Sequence, residues 1–343
     1  MTRCLLLCAL VAAIWGCERP TPPSSAGATQ PAGPGTSTQP SQAKLRIAVI
    51  PKGTTHDFWK SVHAGAIKAG RELGDVEVIF RGPEKEDDRE QQVSLVQNFI
   101  SGRIDAIVLA PLDDKALVPA ARQAMAAQIP VVIIDSALAG EAGHDFVSFA
   151  ATNNYQGGVL AGERMGALLA GKGRVLLLRY QEGSASTTDR ERGFTEALTK
   201  FPGIELVDRK RYAGPTRATA QEAAENLLTA DSNVAGVFCP NESSTFGMLL
   251  ALRSRGLTGK LKFVGFDASP GLVEALGKGE LDGLVVQNPM KMGYVGVKTA
   301  VDHIRGQTVP PLQDTGVVLV TPETMKRPEY QELLAPDLSS YLK

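Results

Sequence analysis

Short apolar runs alternate with longer amphipathic stretches through most of this 343-residue chain, from Lys44 onward. Strands are predicted at 45–51, 76–80, 106–110, 131–135, 146–150, 174–179, 205–212, 234–239, 262–267 and 281–286. Helices are predicted at 57–73, 90–101, 115–127, 190–200, 218–230, 244–255, 272–277 and 290–305. This alternation predicts parallel sheets that are covered by helices on both faces. Two successive sets of about five strands predict two similar α/β lobes.

Four of the apolar runs close on a single polar residue: Asp135, Asn241, Asp267 and Gln287. In an open α/β sheet the ligand crevice lies outside the carboxyl ends of the strands. These side chains therefore predict a converging set of hydrogen-bonding groups, and none of them is a typical nucleophile. Each has a structural alternative, because Asp and Asn often cap a following helix and Gln287 could be a structural residue before Asn288-Pro289.

The first 17 residues have the pattern of a signal peptide that ends in a lipobox. Arg3 supplies the positive start, and the apolar stretch 4–15 is too short to span a bilayer. Cys17 is the predicted lipidated residue, although Trp15 is bulky for its place in that motif. Simple secretion and an uncleaved anchor remain alternatives.

Composition limits the remaining possibilities. Residues 18–43 are rich in Pro, Ser, Thr, Gly and Gln and are predicted to be a disordered tether. A formal net charge of −1 without a basic stripe argues against nucleic-acid binding. Cys239 is the single cysteine after the lipobox, so no internal disulfide is expected. No metal-binding motif or phosphate loop is present, and we predict no metal and no cofactor.

Several ordered sequence motifs resemble the type I periplasmic solute-binding proteins, especially the ribose-like sugar binders. The resemblance covers about 45–320 and is carried by the aromatic pair Phe58-Trp59 and by the segments 130–135, 152–158, 183–194, 226–228, 239–242, 264–267 and 286–289. Each motif is weak alone, whereas the ordered set at suitable spacings is specific.

This resemblance implies an α/β fold of two Rossmann-like lobes with parallel sheets, joined by three hinge strands around one ligand. The implied boundaries are 44–152 plus 289–313 for the N-terminal lobe, 153–288 plus 314–321 for the C-terminal lobe, and 322–343 for a C-terminal tail. It also implies delivery of the ligand to the membrane subunits of an ABC importer. Repressors of the same fold carry an N-terminal helix-turn-helix, and here a signal segment and a tether occupy that position.

The family places aromatic residues after its first strand and an arginine at a helix start. Phe58 and Trp59 are therefore predicted to pack on a sugar ring, with core packing as the alternative. Arg190 is predicted to open a helix and to bind the ligand. Arg192 is the alternative arginine, and the family position may also align with Thr188.

The predicted ligand is a monosaccharide or a similar polyol, held by Phe58, Trp59, Asp135, Arg190, Asn241, Asp267 and Gln287. His56 could donate to a hydroxyl, and Tyr212 could replace another aromatic of the cleft. The ribose binder carries arginine directly after its first cleft aspartate, whereas Ser136 stands here, so ribose itself is in doubt.

We therefore predict a monomeric, non-enzymatic binding protein, anchored through Cys17 on the periplasmic side of a bacterial membrane. A sensory co-receptor of the same fold is the alternative function. A secreted sugar hydrolase is a more remote alternative, because two carboxylates such as Asp135 and Asp267 could flank a glycosidic bond.

Overall fold

The computed structural model describes residues 44–342, which form an alternating series of strands and helices. The strands are β1 Leu45–Ile50, β2 Val76–Phe80, β3 Ala106–Leu109, β4 Val131–Ile134, β5 Ser148–Ala151, β6 Lys172–Leu177, β7 Gly203–Val207, β8 Gly236–Phe238, β9 Lys262–Phe266, β10 Gly283–Gln287, β11 Leu312–Asp314 and β12 Val317–Val320. The helices are α1 Asp57–Leu73, α2 Arg89–Ser101, α3 Val118–Ala126, α4 Asn154–Leu168, α5 Ala185–Leu198, α6 Arg217–Ala230, α7 Glu242–Ser254, α8 Pro270–Gly277, α9 Pro289–Ile304 and α10 Pro328–Leu334. The predicted signal peptide, Cys17 and the tether lie outside the described residues.

Two six-stranded sheets organise the described chain. The first has the order β11-β5-β4-β3-β1-β2, with every neighbouring pair parallel. The second has the order β12-β10-β9-β8-β6-β7 and is parallel except for the antiparallel edge pair of β10 and β12. We call the first sheet with α1, α2, α3 and α9 lobe 1, and the second sheet with α4 to α8 lobe 2.

The chain passes between the lobes three times. The crossings lie between β5 and α4, between β10 and α9, and between β11 and β12. Each sheet has an apolar core on both faces, as parallel sheets require. The predicted two-lobed α/β fold with three connections is confirmed. Each lobe has six strands rather than about five, because β11 and β12 each add an edge strand after the last long helix.

The sequence did not predict helix α4, because glycines interrupt its pattern. Gly157, Gly158 and Gly162 lower helix propensity by roughly 1 kcal/mol each relative to alanine. Their role is tertiary: a Cβ atom at Gly158 would lie 2.0 Å from the carbonyl oxygen of Arg190. Close packing of α4 on α5 therefore outweighs the weak local preference for a helix.

Two predicted boundaries are wrong in ways that matter for the site. Helix α5 begins at Ala185 rather than at Arg190, so Arg190 lies more than one turn inside the helix. Strand β7 ends at Val207 rather than at 212, and Tyr212 lies in the loop beyond it with 45% of its surface exposed.

The segment after β12 contacts both lobes. Leu334 at the end of α10 is buried in the core of lobe 2. Farther along, the carbonyl oxygens of Ser340 and Tyr341 accept hydrogen bonds from Arg71 of α1, at 2.6 and 3.2 Å. Within residues 44–342, no helix is both long enough and apolar enough to cross a bilayer.

Candidate functional site

All seven predicted site residues line one cavity between the two lobes, at the carboxyl ends of the strands. The lining side chains are Lys52, His56, Phe58, Trp59, Glu86, Asp135, Tyr180, Ser186, Thr187, Arg190, Asn241, Glu242, Asp267 and Gln287. The cavity measures about 30 Å³, which is room for very few water molecules. The described conformation is therefore a closed one, with its polar groups drawn together.

Asp135 and Asp267 occupy matching places in the two lobes. Each directly follows a buried strand and adopts a left-handed backbone conformation, with φ of 63° and 69°. Residues other than glycine rarely adopt this region, although Asp tolerates it better than most. The N-cap of α8 is Ser269, so Asp267 does not cap the helix that follows it. Instead its Oδ2 accepts a 3.0 Å hydrogen bond from the backbone N–H of Glu242.

Lys52 supplies the positive charge that Ser136 does not. Its Nζ lies 2.8 Å from Asp135 Oδ2 and donates to Ser186 Oγ of lobe 2 at 3.0 Å. Ser136 itself accepts a 3.1 Å hydrogen bond from the backbone N–H of Ser186. A lysine at the end of β1 therefore pairs with the first cleft carboxylate, and Ser136 contributes a contact between the lobes.

Arg190, rather than Arg192, faces the cavity. Its Nε donates to Asn154 Oδ1 at 2.8 Å and its Nη1 donates to the Pro240 carbonyl oxygen at 2.9 Å. The guanidinium also stacks over the Phe266 ring, with its carbon 4.0 Å from the ring centroid. Arg192 instead pairs with a neighbouring aspartate on an exposed face of α5.

Two amide side chains complete the lobe 2 side of the cavity. Gln287 Nε2 donates to Asp267 Oδ1 at 2.6 Å, while Gln287 Oε1 is buried without a hydrogen-bond partner. Asn241 caps α7, because its Oδ1 accepts from the backbone N–H of Ser244. The capping alternative therefore describes Asn241 correctly, and its side chain also borders the cavity.

Glu86, from the loop between β2 and α2, accepts three short contacts in the wall of the cavity. Its Oε1 lies 2.6 Å from the indole Nε1 of Trp59 and 2.8 Å from His56 Nδ1. Its Oε2 accepts a 2.6 Å hydrogen bond from the hydroxyl of Tyr180, which belongs to lobe 2. The Trp59 ring packs edge-to-face on Phe58, with centroids 4.9 Å apart. Both aromatic side chains also belong to the core of lobe 1, so packing and cavity lining coincide.

Burial controls the pKa values of the facing charges in lobe 2. It raises the pKa of the Asp267 carboxyl from 3.8 to about 6, although Arg190 and Gln287 act in the opposite direction. Burial also lowers the pKa of Arg190, against the effect of Asp267. Arg190 Nη1 and Asp267 Oδ2 are 3.9 Å apart, and this long contact does not offset the desolvation of the two groups.

The pKa values around Glu86 follow from its partners. Burial alone would raise the Glu86 pKa, but His56, Lys52 and the Tyr180 hydroxyl together lower it from 4.5 to about 2. Burial lowers the pKa of His56, and the carboxylate of Glu86 outweighs that effect, so the net change is upward. Burial and Glu86 raise the pKa of Tyr180 well above 10, and its hydroxyl keeps the proton that it donates.

Sequence reasoning missed several lining residues, above all Lys52, Glu86 and Tyr180. Lys52 lies just beyond β1, so the rule of polar residues at strand ends could have found it. Glu86 stands in a run of charged residues that is typical of a solvated loop. Tyr212, proposed as a cleft aromatic, is exposed and does not line the cavity; the buried aromatic from lobe 2 is Tyr180. Within 44–342, no three His, Cys, Asp or Glu side chains are placed to hold a metal ion.

Comparison with known proteins gives one consistent result. A family model described as a periplasmic binding protein domain matches residues 47–308. The D-allose-binding periplasmic protein of Escherichia coli K12 is 30% identical over 279 residues, which cover 79% of this chain and 88% of that protein. An ABC transporter solute-binding protein from Agrobacterium vitis with bound D-fucose is 36% identical with a TM-score of 0.82, covering 84% of this chain and 99% of that one. A carbohydrate transporter solute-binding protein from Agrobacterium radiobacter in complex with D-arabinose is 35% identical with a TM-score of 0.81, covering 86% and 100%. All three are binding proteins.

Proposed function

Because this chain belongs to the periplasmic binding protein family, we propose that it captures a monosaccharide or a similar polyol between its lobes and delivers it to the membrane subunits of an ABC importer. The relatives with D-allose, D-fucose and D-arabinose in their names support a sugar of this size. The observation that carries the proposal is the cavity itself, which joins polar groups of both lobes beside two aromatic rings.

The charges around the cavity favour an uncharged ligand. Two cations line it and each faces a carboxylate, Lys52 with Asp135 and Arg190 with Asp267, while His56 contacts the carboxylate of Glu86. A fourth lining carboxylate, that of Glu242, pairs with Arg217. A sugar acid or sugar phosphate would meet no unpaired cation among these lining residues, whereas hydroxyl groups can donate to and accept from such pairs.

We assign the ligand contacts to the seven residues predicted from the sequence. Phe58 and Trp59 would pack on the apolar face of a sugar ring. The carboxylates Asp135 and Asp267 would accept hydrogen bonds from hydroxyls, and Arg190 would donate to ring or hydroxyl oxygens.

The two amide residues complete the proposed set. Asn241 can donate through its amide nitrogen, which now contacts Ser243 at 3.1 Å. Gln287 Oε1 has no partner within the described chain and is a ready acceptor for a ligand hydroxyl. A buried polar atom without a partner costs roughly 1–3 kcal/mol, so a hydroxyl at this position would relieve that penalty.

The closed cavity implies that the ligand enters a more open conformation. We propose that the lobes, with boundaries 44–152 plus 289–313 and 153–288 plus 314–321, rotate about the three crossings. Periplasmic binding proteins close around their ligands by a hinge motion of the domains. A ligand that contacts both lobes stabilises the closed form through its greater affinity for that form.

The proposed location is the periplasm, where the curated relative from E. coli acts. We further propose that Cys17 is acylated, that residues 18–43 form a tether between the lipid and the lobes, and that the protein is a monomer. A tether of this kind would let a membrane-held binding protein present its closed form to the importer.

Thermal unfolding against a panel of sugars tests the proposed function. The panel contains D-allose, D-fucose, D-arabinose, other pentoses and hexoses, and polyols such as inositol. A ligand that binds only the folded state stabilises it by about 2.7 kcal/mol at a concentration 100 times Kd. We expect a concentration-dependent rise in Tm with at least one sugar.

Two variants make this experiment specific. Asp267→Ala removes a proposed ligand acceptor and should abolish the ligand-dependent rise in Tm. Asp302→Ala is the control, since Asp302 pairs with Lys298 on α9 and does not line the cavity. Absence of any rise across the panel would contradict sugar binding, and an equal loss of the rise in both variants would contradict the assignment of Asp267 as a ligand contact.

A further inference from the structure

The carboxylate of Glu86 accepts from three groups: His56 and Trp59 at the start of α1, and Tyr180 after β6. Trp59 Nε1 and the Tyr180 hydroxyl both lie 2.6 Å from it, and His56 Nδ1 lies 2.8 Å from it. Glu86 is 5% exposed, and Tyr180 is 2% exposed. Hydrogen bonds to an ionised carboxylate are shorter and about twice as strong as those between neutral groups.

These contacts join the lobes directly. Glu86, His56 and Trp59 belong to lobe 1, whereas Tyr180 follows β6 of lobe 2. A second contact reinforces the first, because Gln181 Nε2 donates to the backbone carbonyl oxygen of Glu86 at 3.0 Å. Opening of the cleft must separate Tyr180 and Gln181 from Glu86. Trp59 and His56 belong to the same lobe as Glu86 and move with that residue.

The same carboxylate fixes the orientation of the aromatic wall. Trp59 can rotate about two side-chain bonds, and the hydrogen bond from its indole nitrogen restricts that rotation. The edge-to-face contact with Phe58 holds the other side of the ring. A ring held in place before the ligand arrives loses less freedom on binding, which favours affinity.

We propose that Glu86 is both a positioning residue, which sets the Trp59 ring against the ligand, and a latch, which holds lobe 1 to Tyr180 of lobe 2 in the closed form. The positioning role rests on the sugar-binding function proposed above. The latch does not, since its contacts exist within the chain itself. It predicts that the closed form is substantially populated without ligand.

Acrylamide quenching of Trp59 measures opening of the cleft. In the full-length chain carrying Trp15→Phe, Trp59 is the remaining tryptophan. Trp59 is 3% exposed in the closed form, so quenching reports the open population. Tyr180→Phe removes the latch hydroxyl and retains the ring. A hydrogen bond to a charged group is worth enough to raise the open population about tenfold in the ligand-free chain.

The matched control is Tyr155→Phe, which removes a 2.6 Å hydrogen bond from a tyrosine to Glu196 within lobe 2. We expect no change in quenching for this control. Gln181→Leu removes the other hydrogen bond between Glu86 and lobe 2 and should also increase quenching, which keeps the test valid if Tyr180→Phe folds poorly by circular dichroism. If acrylamide quenches Trp59 to the same extent in Tyr180→Phe, in Gln181→Leu and in the control, the proposed latch is refuted.

The positioning role is tested by measuring the affinity for a sugar. Glu86→Gln should shift the emission maximum of Trp59 and weaken binding of the sugar found by thermal unfolding about tenfold, whereas Tyr155→Phe should change neither. An unchanged affinity for that sugar would overturn the positioning role. If Tyr180→Phe opens the ligand-free chain and no sugar protects Trp59 from acrylamide, the latch stands and the sugar-binding function fails.

Discussion

Replacing Asp267 by asparagine is expected to stabilise the ligand-free chain at neutral pH while weakening sugar binding. The Asp267 carboxylate is 5% exposed, and its pKa is raised from 3.8 to about 6 by burial. At about 1.4 kcal/mol for each pH unit, this change in pKa means that the folded state disfavours the ionised carboxylate by roughly 3 kcal/mol relative to the unfolded state. Asp267→Asn removes that charge and keeps nearly the same shape.

The surroundings can accommodate the amide. Its oxygen can still accept from the backbone N–H of Glu242, which now contacts Asp267 Oδ2. Its nitrogen can donate to Gln287 Oε1, which is buried without a partner, once the Gln287 amide turns over. We therefore expect Asp267→Asn to gain about 2–3 kcal/mol of unfolding free energy at pH 7.5.

The sign of the pH dependence follows from linkage. A carboxyl whose pKa is raised by folding holds its proton more tightly in the folded state, so stability falls as pH rises from about 4 through 6. The gain in unfolding free energy from Asp267→Asn should accordingly fall below about 1 kcal/mol at pH 4 and reach its full size above pH 7.

Urea denaturation of both chains at pH 4, 5, 6 and 7.5 measures this effect. Asp208→Asn is the contrasting control, because Arg179 lowers the pKa of Asp208 and loss of that carboxylate should destabilise the chain. A gain from Asp267→Asn that is the same at every pH, or a loss at pH 7.5, would refute the conclusion that burial of the Asp267 carboxylate is only partly compensated by its partners.

Two further predictions concern packing and the Glu86 network. Gly65→Ala should destabilise the chain by about 3 kcal/mol in urea, since its Cβ atom would lie 1.9 Å from the Met290 carbonyl oxygen where α1 crosses α9. Glu86→Gln should cost on the order of 3 kcal/mol at pH 7, because the folded-state pKa of Glu86 is about 2 rather than 4.5. A lowered pKa stabilises above pH 4.5 and loses that effect as pH falls toward 2, so the difference between the two chains should be roughly halved at pH 3.

The predictions for Gly65→Ala and Glu86→Gln can each be contradicted by a specific result. Gly277→Ala is the control for Gly65→Ala, because its Cβ atom would have no neighbour closer than 3.6 Å. Equal stability of the two alanine variants would contradict the close crossing of α1 and α9. A stability difference for Glu86→Gln that stays constant from pH 7 to pH 3 would contradict a depressed pKa.

The two-lobed fold could be predicted because its signal is local. Buried parallel strands are short and apolar, and the helices between them repeat the amphipathic period. The position of Asp135 and Asp267 in the cavity wall could be predicted for a related reason: each follows a parallel strand, and the carboxyl ends of such strands border the crevice. Arg190 faces the cavity although its helix starts earlier than predicted, at Ala185.

What the sequence could not show depends on contacts between distant residues. The glycines of α4 weaken its helical pattern, and tertiary packing explains them: Gly158 and Gly162 lie against α5, and Gly157 lies against Phe266 of β9. Glu86 sits in a charged loop, and its burial depends on Tyr180, 94 residues away. Lys52 pairs with Asp135 from another strand of the same sheet. Such side chains take their roles from tertiary placement, which local patterns do not encode.

The raised pKa of Asp267 also predicts how sugar binding should depend on pH. Ligand hydroxyls donate to the carboxylate form, so binding favours ionisation and lowers the pKa of Asp267 in the complex. Affinity should therefore rise as pH increases through about 6 and level off above pH 7. Near pH 6, where part of the ligand-free chain still carries a proton on Asp267, sugar binding should release that proton. Calorimetry at pH 5, 6 and 7.5, in buffers with different ionisation heats, measures both effects. His56 has a raised pKa as well, and Asp267→Asn separates the two contributions by removing only the one from Asp267. An affinity that is flat across this range, or that increases toward pH 5, would show that Asp267 does not accept a hydrogen bond from the sugar.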